Sequence, residues 1–298
     1  MPERDAIAIG APCWIDLWTS DVEAARRFYA ELFGWVAEEA NPDFGGYFMF
    51  TQQGHPVAGA MGSMPDRPAS NTWKVYFATD DAAAVLDAAR SDGAESELAA
   101  FPVGDLGVQA GLVDPTGAAF GLWQAGSFSG FPATGEPGLP SWFELQTPDC
   151  KRAVAFYRAL LGWQTTDAVD GDTTYTTIRP DAHGAHGADF GGITDASSEP
   201  GTPETAHWVV YWRVGDMDAA LRRATAGRRI CARGAHGQSV RDLGDSCRSG
   251  RRRGAAARAR HDLTSLHHAR VELRPGRGIL PGAVVTGCAR TGAPTVTP

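Results

Sequence analysis

Two short matching strings carry the most suggestive chemistry in this 298-residue chain. Trp14, Asp16 and Trp18 alternate with Ile15 and Leu17, and Trp142, Glu144 and Gln146 alternate with Phe143 and Leu145. Such alternation marks a half-buried strand, whose successive side chains point to opposite faces. Each string therefore sets an indole beside a carboxylate on one face. Indoles offer large, rigid, flat area to a planar aromatic molecule, and a carboxylate can fix a hydroxyl or a cation. Gly121 and Trp123 share one face of a later strand and complete the set of eight candidate ligand contacts. Asp16 and Glu144 are also the candidate general bases, although the sequence alone shows no shifted pKa for either.

Other chemistries lack their residues. There is no GxSxG, no phosphate loop and no GxGxxG with a distant acid, so hydrolase, NTPase and dinucleotide readings have no support. His55, His183, His186 and His207 are the histidines before the tail; His183 and His186 lie three apart in a Gly-rich loop without an acid partner, a weak metal pair. The five cysteines show no CxxC spacing, which argues against a disulfide framework or structural zinc and for a reducing cytoplasm. The N-terminus has no apolar signal segment, and no apolar run approaches the ~20 residues of a membrane span, so no membrane partner is expected.

The elements that position the candidates are duplicated. Trp14-Ile15-Asp16-Leu17 recurs as Trp142-Phe143-Glu144-Leu145, and Phe28-Tyr29-Ala30-Glu31-Leu32-Phe33-Gly34-Trp35 as Phe156-Tyr157-Arg158-Ala159-Leu160-Leu161-Gly162-Trp163, both shifted by 128. Trp73-Lys74-Val75-Tyr76-Phe77 recurs as Trp208-Val209-Val210-Tyr211-Trp212, shifted by 135, which implies an insertion near residues 181–189. Three blocks kept in order establish a tandem repeat. Ser20 to Glu23 reads as a capping box with Ser20 as the cap, and Ala24, Ala25, Phe28, Tyr29 and Leu32 form a helical stripe ended by Gly34. Residues 47–51 and 72–79 read as strands, 81–90 as a helix, and 108–113 and 118–124 as strands flanking the turn Asp114-Pro115-Thr116-Gly117. The boundaries are a first module at 8–125, a Gly- and Pro-rich linker at 126–140, a second module at 141–223 and a tail at 224–298.

The tail differs from the rest. Every aromatic residue lies at or before Trp212, while 224–298 holds 14 arginines, four acids and no lysine. It lacks the aromatic interleaving and amphipathic period of a nucleic-acid arm, so no nucleic-acid partner is expected.

The strand, the helix bearing FYxxLFGW and the hairpin turning at DPxG resemble the vicinal oxygen chelate superfamily of glyoxalase I, bleomycin-resistance proteins and extradiol dioxygenases. The paired form with CWxDL and FYxxLFGW is similar to tandem glyoxalase-like proteins of actinobacteria, some of which accompany antibiotic biosynthesis. The resemblance implies an α+β fold, two tandem βαβββ modules forming a curved-sheet cup, here with the second module truncated after about residue 223. We expect one small molecule to be held between the copies. The family's enzymes usually bind a divalent metal through His, Gln or Glu. The matching positions are Trp14 and Trp142 on the first strands, Gly121 on the last, and Trp73 or Lys74 with Trp208 or Val209 on the fourth. None offers an imidazole or carboxylate, so the expectation is no metal and no cofactor.

The function this implies is a metal-independent protein that binds a planar aromatic metabolite. It would be an accessory or cofactor-free enzyme of antibiotic, anthracycline-type biosynthesis, with a biosynthetic oxygenase as its protein partner. The alternatives are a metal-dependent lyase, isomerase or dioxygenase and an antibiotic-sequestering resistance protein. Where the family's last strands should stand, the tail shows no strand pattern. A one-base shift across Gln238 to Gly244 allows Ser-Pro-Tyr-Gly-Thr-Trp-Ala, so the tail reads as a frameshifted, poorly ordered segment.

Overall fold

A computed structural model describes residues 7–65, 68–170, 173–181, 188–195, 205–232, 270–275 and 281–286. The first copy contains two βαβββ units in tandem. The first runs β1 (Pro12–Thr19), α1 (Val22–Phe33), β2 (Val36–Ala37), β3 (Phe48–Gln52) and β4 (His55–Gly62). A second unit follows as β5 (Thr72–Ala78), α2 (Ala82–Ser91), β6 (Glu95–Val103), β7 (Gly107–Val113) and β8 (Ala119–Ala125). Together they make one eight-stranded sheet, ordered β2-β3-β4-β1-β5-β8-β7-β6. Its centre is the antiparallel pair β1 and β5, in which Asp16 faces Lys74 and Leu17 faces Trp73.

The second copy repeats this plan as β9 (Pro140–Thr147), α3 (Cys150–Leu161), β10 (Gln164–Asp170), β11 (Thr173–Arg179), β12 (Gly191–Asp195), β13 (His207–Trp212) and α4 (Met217–Ala232). Its sheet has five strands, ordered β10-β11-β12-β9-β13. A separate hairpin pairs β14 (Arg270–Pro275) with β15 (Pro281–Thr286). Among the described residues no strands of the second sheet correspond to β6, β7 and β8. The stretch on which the frameshift reading rests, 238–244, and most of the tail lie outside the described residues, as do His183 and His186.

Local chemistry sets the helix ends. Asp21, not Ser20, caps α1, its carboxylate accepting from the Ala24 N–H at 2.9 Å. The helix starts one residue later than the capping-box reading places it, which leaves the Ser20 hydroxyl to Asn71. Asp149 caps α3 in the same way, and Gly34 and Gly162 close the two helices in the left-handed conformation that glycine adopts without a Cβ penalty. In the turn at 114–117, Asp114 Oδ1 accepts from the Thr116 and Ala118 N–H groups.

The copies share one core. Trp73 of β5 packs against Trp212 of β13 at 5.4 Å between ring centroids, and Phe77 against Trp208 at 5.2 Å. Trp163, fully buried, donates to the Gly10 carbonyl at 2.7 Å, and Tyr157 of α3 donates to Asp114 at 2.8 Å. Burying aromatic rings of this size is the main stabilising contribution, and each indole N–H or hydroxyl needs a partner to avoid a desolvation penalty. The two sheets therefore meet through Trp73 and Phe77 on one side and Trp208 and Trp212 on the other. Strand alternation turns Asp16, Lys74 and Tyr76 away from that contact, and likewise Glu144, Val209 and Tyr211. The aromatic sides of both sheets are consumed in packing, so the candidate carboxyl of each copy lies on the sheet face turned away from that contact.

Candidate functional site

On the face of the first sheet turned away from the second copy, Asp16 sits in a ring of donors. Trp14 Nε1 donates to Asp16 Oδ1 at 2.9 Å and to the Tyr47 hydroxyl at 3.0 Å, and Tyr47 donates to Asp16 Oδ1 at 2.9 Å. The Tyr76 hydroxyl faces the same carboxyl and helps to stabilise its charged form. Two glycines make room for the rings. A Cβ at Gly59, opposite Asp16 on β4, would overlap both the Tyr47 hydroxyl and Asp16 Oδ1, and a Cβ at Gly121 would overlap the Tyr76 ring. Lys74, next to Asp16 across the strands, donates to Glu97 Oε2 on β6.

The second copy repeats the constellation. Tyr175 donates to Glu144 Oε2 at 3.0 Å and Tyr211 to Glu144 Oε1 at 2.7 Å, while Trp142 Nε1 donates to the Tyr175 hydroxyl at 2.8 Å. Gly192, which pairs with Glu144 in register, leaves the space that Tyr175 fills. Gln146 Nε2 donates to Glu144 Oε1 at 3.2 Å. Glu144 itself is fully buried.

Burial dominates the protonation chemistry of the first site. It raises the Asp16 carboxyl above its ordinary value, against the lowering effect of the bonds from Tyr47, Tyr76 and Trp14 and of the Lys74 charge. Burial, and after it the charge of Asp16, holds the Tyr47 and Tyr76 hydroxyls well above the usual phenol range. Both tyrosines stay protonated donors across physiological pH. The arrangement is an acceptor carboxyl presented by fixed donors, suited to hydrogen-bonding a ligand hydroxyl or exchanging a proton with it.

The eight candidate residues fall into two groups. Trp14, Asp16, Trp142, Glu144 and Gln146 belong to the two constellations, and Gly121 is the recess that seats Tyr76. Trp18 is half-buried and donates to the Gly62 carbonyl. Trp123 is buried, donates to the Phe128 carbonyl and packs on Phe128. The Trp14 ring contacts Phe128 edge-on at 4.9 Å and Phe131 at 6.1 Å, so the connector between the copies occupies much of its surface. Reading the sequence by alternation misses Tyr47, Tyr76, Tyr175 and Tyr211. The signal that finds them is the repeat offset, since Tyr47 and Tyr175 differ by 128 and Tyr76 and Tyr211 by 135.

These faces do not suit a divalent cation. The matching positions hold indole at 14 and 142, ammonium at 74 and Val209, while Trp73 and Trp208 point into the core and donate to Tyr29 and Tyr157. A glutamate at 121 would collide with Tyr76, and the carboxylates present are already engaged by tyrosine, indole and lysine donors. Among the described residues no group of three His, Cys, Asp or Glu converges. Nor, among them, is any helix long and apolar enough to cross a membrane.

A family model described as the Glyoxalase/Bleomycin resistance protein/Dioxygenase superfamily matches residues 13–122 and again 140–251. The Anthracycline biosynthesis protein DauV of Streptomyces sp. (strain C5) is 36% identical over 231 residues, covering 73% of this chain and 82% of that protein. CFP32 of Mycobacterium tuberculosis (strain CDC 1551 / Oshkosh) is 37% identical over 247 residues, covering 80% and 91%. Among solved structures, the Mn(II)-bound glyoxalase from Novosphingobium aromaticivorans aligns with a TM-score of 0.50 at 19% identity, covering 74% of this chain and 71% of that one. The 2,3-dioxygenase LapB from Pseudomonas sp. KL28 aligns at the same TM-score with 14% identity, covering 75% and 81%.

Proposed function

Since the chain belongs to the glyoxalase/bleomycin resistance protein/dioxygenase superfamily, we propose that it binds a planar, hydroxyl-bearing aromatic metabolite without a metal ion. It would serve secondary metabolism as an accessory protein or cofactor-free enzyme. The observation that carries this reading is the Trp–carboxylate–Tyr–Tyr constellation built twice, once on the outward face of each sheet, where the family would place chelating side chains. A carboxyl ringed by tyrosine hydroxyls recognises a phenol by hydrogen bonds, and the half-buried Trp18 and Trp142 offer flat apolar surface at the edge. Relatedness to DauV supports an anthracycline-type setting.

The test uses the full purified chain. Tryptophan fluorescence is titrated with a hydroxylated anthraquinone before and after dialysis against EDTA, alongside elemental analysis. Saturable quenching with the same midpoint in both samples, and no stoichiometric metal, is the expected result. One equivalent of Mn, Fe, Ni or Zn, or quenching abolished by EDTA, would instead favour the metal-dependent lyase or dioxygenase reading.

A further inference from the structure

The two constellations share a frame but not a charge pattern. Val209 takes in the second copy the place of Lys74 in the first, and Gln146 takes the place of Trp18. Glu144 is fully buried, and its hydrogen-bond partners, Tyr175, Tyr211 and Gln146, are all neutral. Among the described residues two basic ones alternate onto that face, Arg179 and His207. Arg179 pairs with Asp189 at 3.9 Å, and His207 Nδ1 lies 3.2 Å from the Thr205 carbonyl oxygen; neither bonds Glu144. Where the first site sets an ammonium beside its carboxyl, the second sets a methyl-bearing side chain.

Gln146 adds an independent sign. Its Nε2 donates to Glu144 Oε1, where the amide oxygen would set acceptor against acceptor, and this fixes where Oε1 points. The residue is only 5% exposed, and Oε1 has no hydrogen-bond partner. A buried acceptor without a donor is costly to leave unmade. Two acceptors, one of them a buried carboxyl that no described cation bonds, thus stand side by side on a face whose rim includes the half-buried Trp142.

We propose that the second copy is a separate site for an aromatic ligand that carries an ammonium group, which donates to Gln146 Oε1 and neutralises Glu144. Trp142 lies at the rim, where an indole face attracts a cation. Lys74 disfavours the same ligand in the first copy. The fused repeat would then hold two non-equivalent sites, one selecting hydroxyls and the other a protonated amine. This rests on the reading that these faces bind aromatic molecules.

The test compares 2-naphthylmethylammonium with 2-naphthalenemethanol, which share a ring and differ in the donor, by titration calorimetry on the full chain. The ammonium should bind about tenfold tighter or more, the difference expected of a charge-assisted bond. Glu144→Gln should erase that preference. Should Glu144→Gln not fold, Gln146→Met removes only the orphaned acceptor and should weaken the ammonium more than the alcohol. Equal affinities in the wild type, or a preference that survives both substitutions, overturn the inference alone. Binding of neither probe overturns it together with the function proposed above.

Discussion

Gly59→Ala isolates the fit of Tyr47 against Asp16 without touching either residue. The added methyl would stand well inside 3.0 Å of the Tyr47 hydroxyl and Asp16 Oδ1, closer than real Cβ atoms approach anything. Either the tyrosine leaves its seat or β4 shifts. The hydroxyl makes one bond to a carboxyl and accepts one from Trp14, worth about 1.5–3 and 0.5–1.5 kcal/mol respectively. Moving the strand instead costs about 1–3 kcal/mol of strain. The protein takes the cheaper route or a mixture, so a loss of about 2–3 kcal/mol follows, a fall of roughly 4–12 °C in Tm for a chain of this size. Tyr47→Phe alone should cost about 2 kcal/mol by losing the same bonds. Since the closest part of the overlap is with the oxygen that makes the bonds, the double variant should cost about 1 kcal/mol less than the sum. Urea unfolding of all four proteins measures this cycle. Strict additivity, or a Gly59→Ala protein as stable as wild type, would refute the placement of Tyr47 on Asp16.

Two further substitutions probe the site's protonation and the shared core. Burial raises the Asp16 carboxyl above its ordinary value of 3.8, so the native state holds that proton more tightly than the unfolded chain. The stability this gives is complete below about pH 3.8 and disappears as pH rises through the raised value. Asp16→Asn has no such titration, so any advantage of wild type over the variant should shrink between pH 4 and pH 7 in urea midpoints; a widening gap would contradict it. Trp163→Phe removes the donor to the Gly10 carbonyl and part of a ring stacked on Tyr157 at 4.7 Å. It should cost about 2–4 kcal/mol in a single cooperative unfolding transition. Two transitions, of which only one moves, would show that the halves do not share a core.

Much of this was legible from residue types. The repeat, the glycine ends of the first helices, the turn at Asp114 and the alternating strand at Trp14 follow from local rules that tertiary packing does not override. The edge strands β2 and β10 were not legible, because their residues carry little apolar periodicity. Neither was the direction of the site-bearing faces. Trp73 and Lys74 are adjacent in sequence, and only the contact of Trp73 with Trp212 decides which of them faces the site. The tyrosines were hidden for a related reason, since an aromatic residue on a strand reads as core until its hydroxyl has a partner.

The connector that leads from the first copy to the second does more than join them. Phe131 accepts no slack, its backbone N–H donating to the Cys13 carbonyl while its ring stacks on Phe143 of the other copy. Because the same segment lays Phe128 on Trp14, the strap that fixes the second copy also covers part of the first copy's Asp16 face. Severing the chain there would not release two working halves. It would unroof the first and unmoor the second in one stroke, so the duplication, once fused, is no longer divisible into its ancestors.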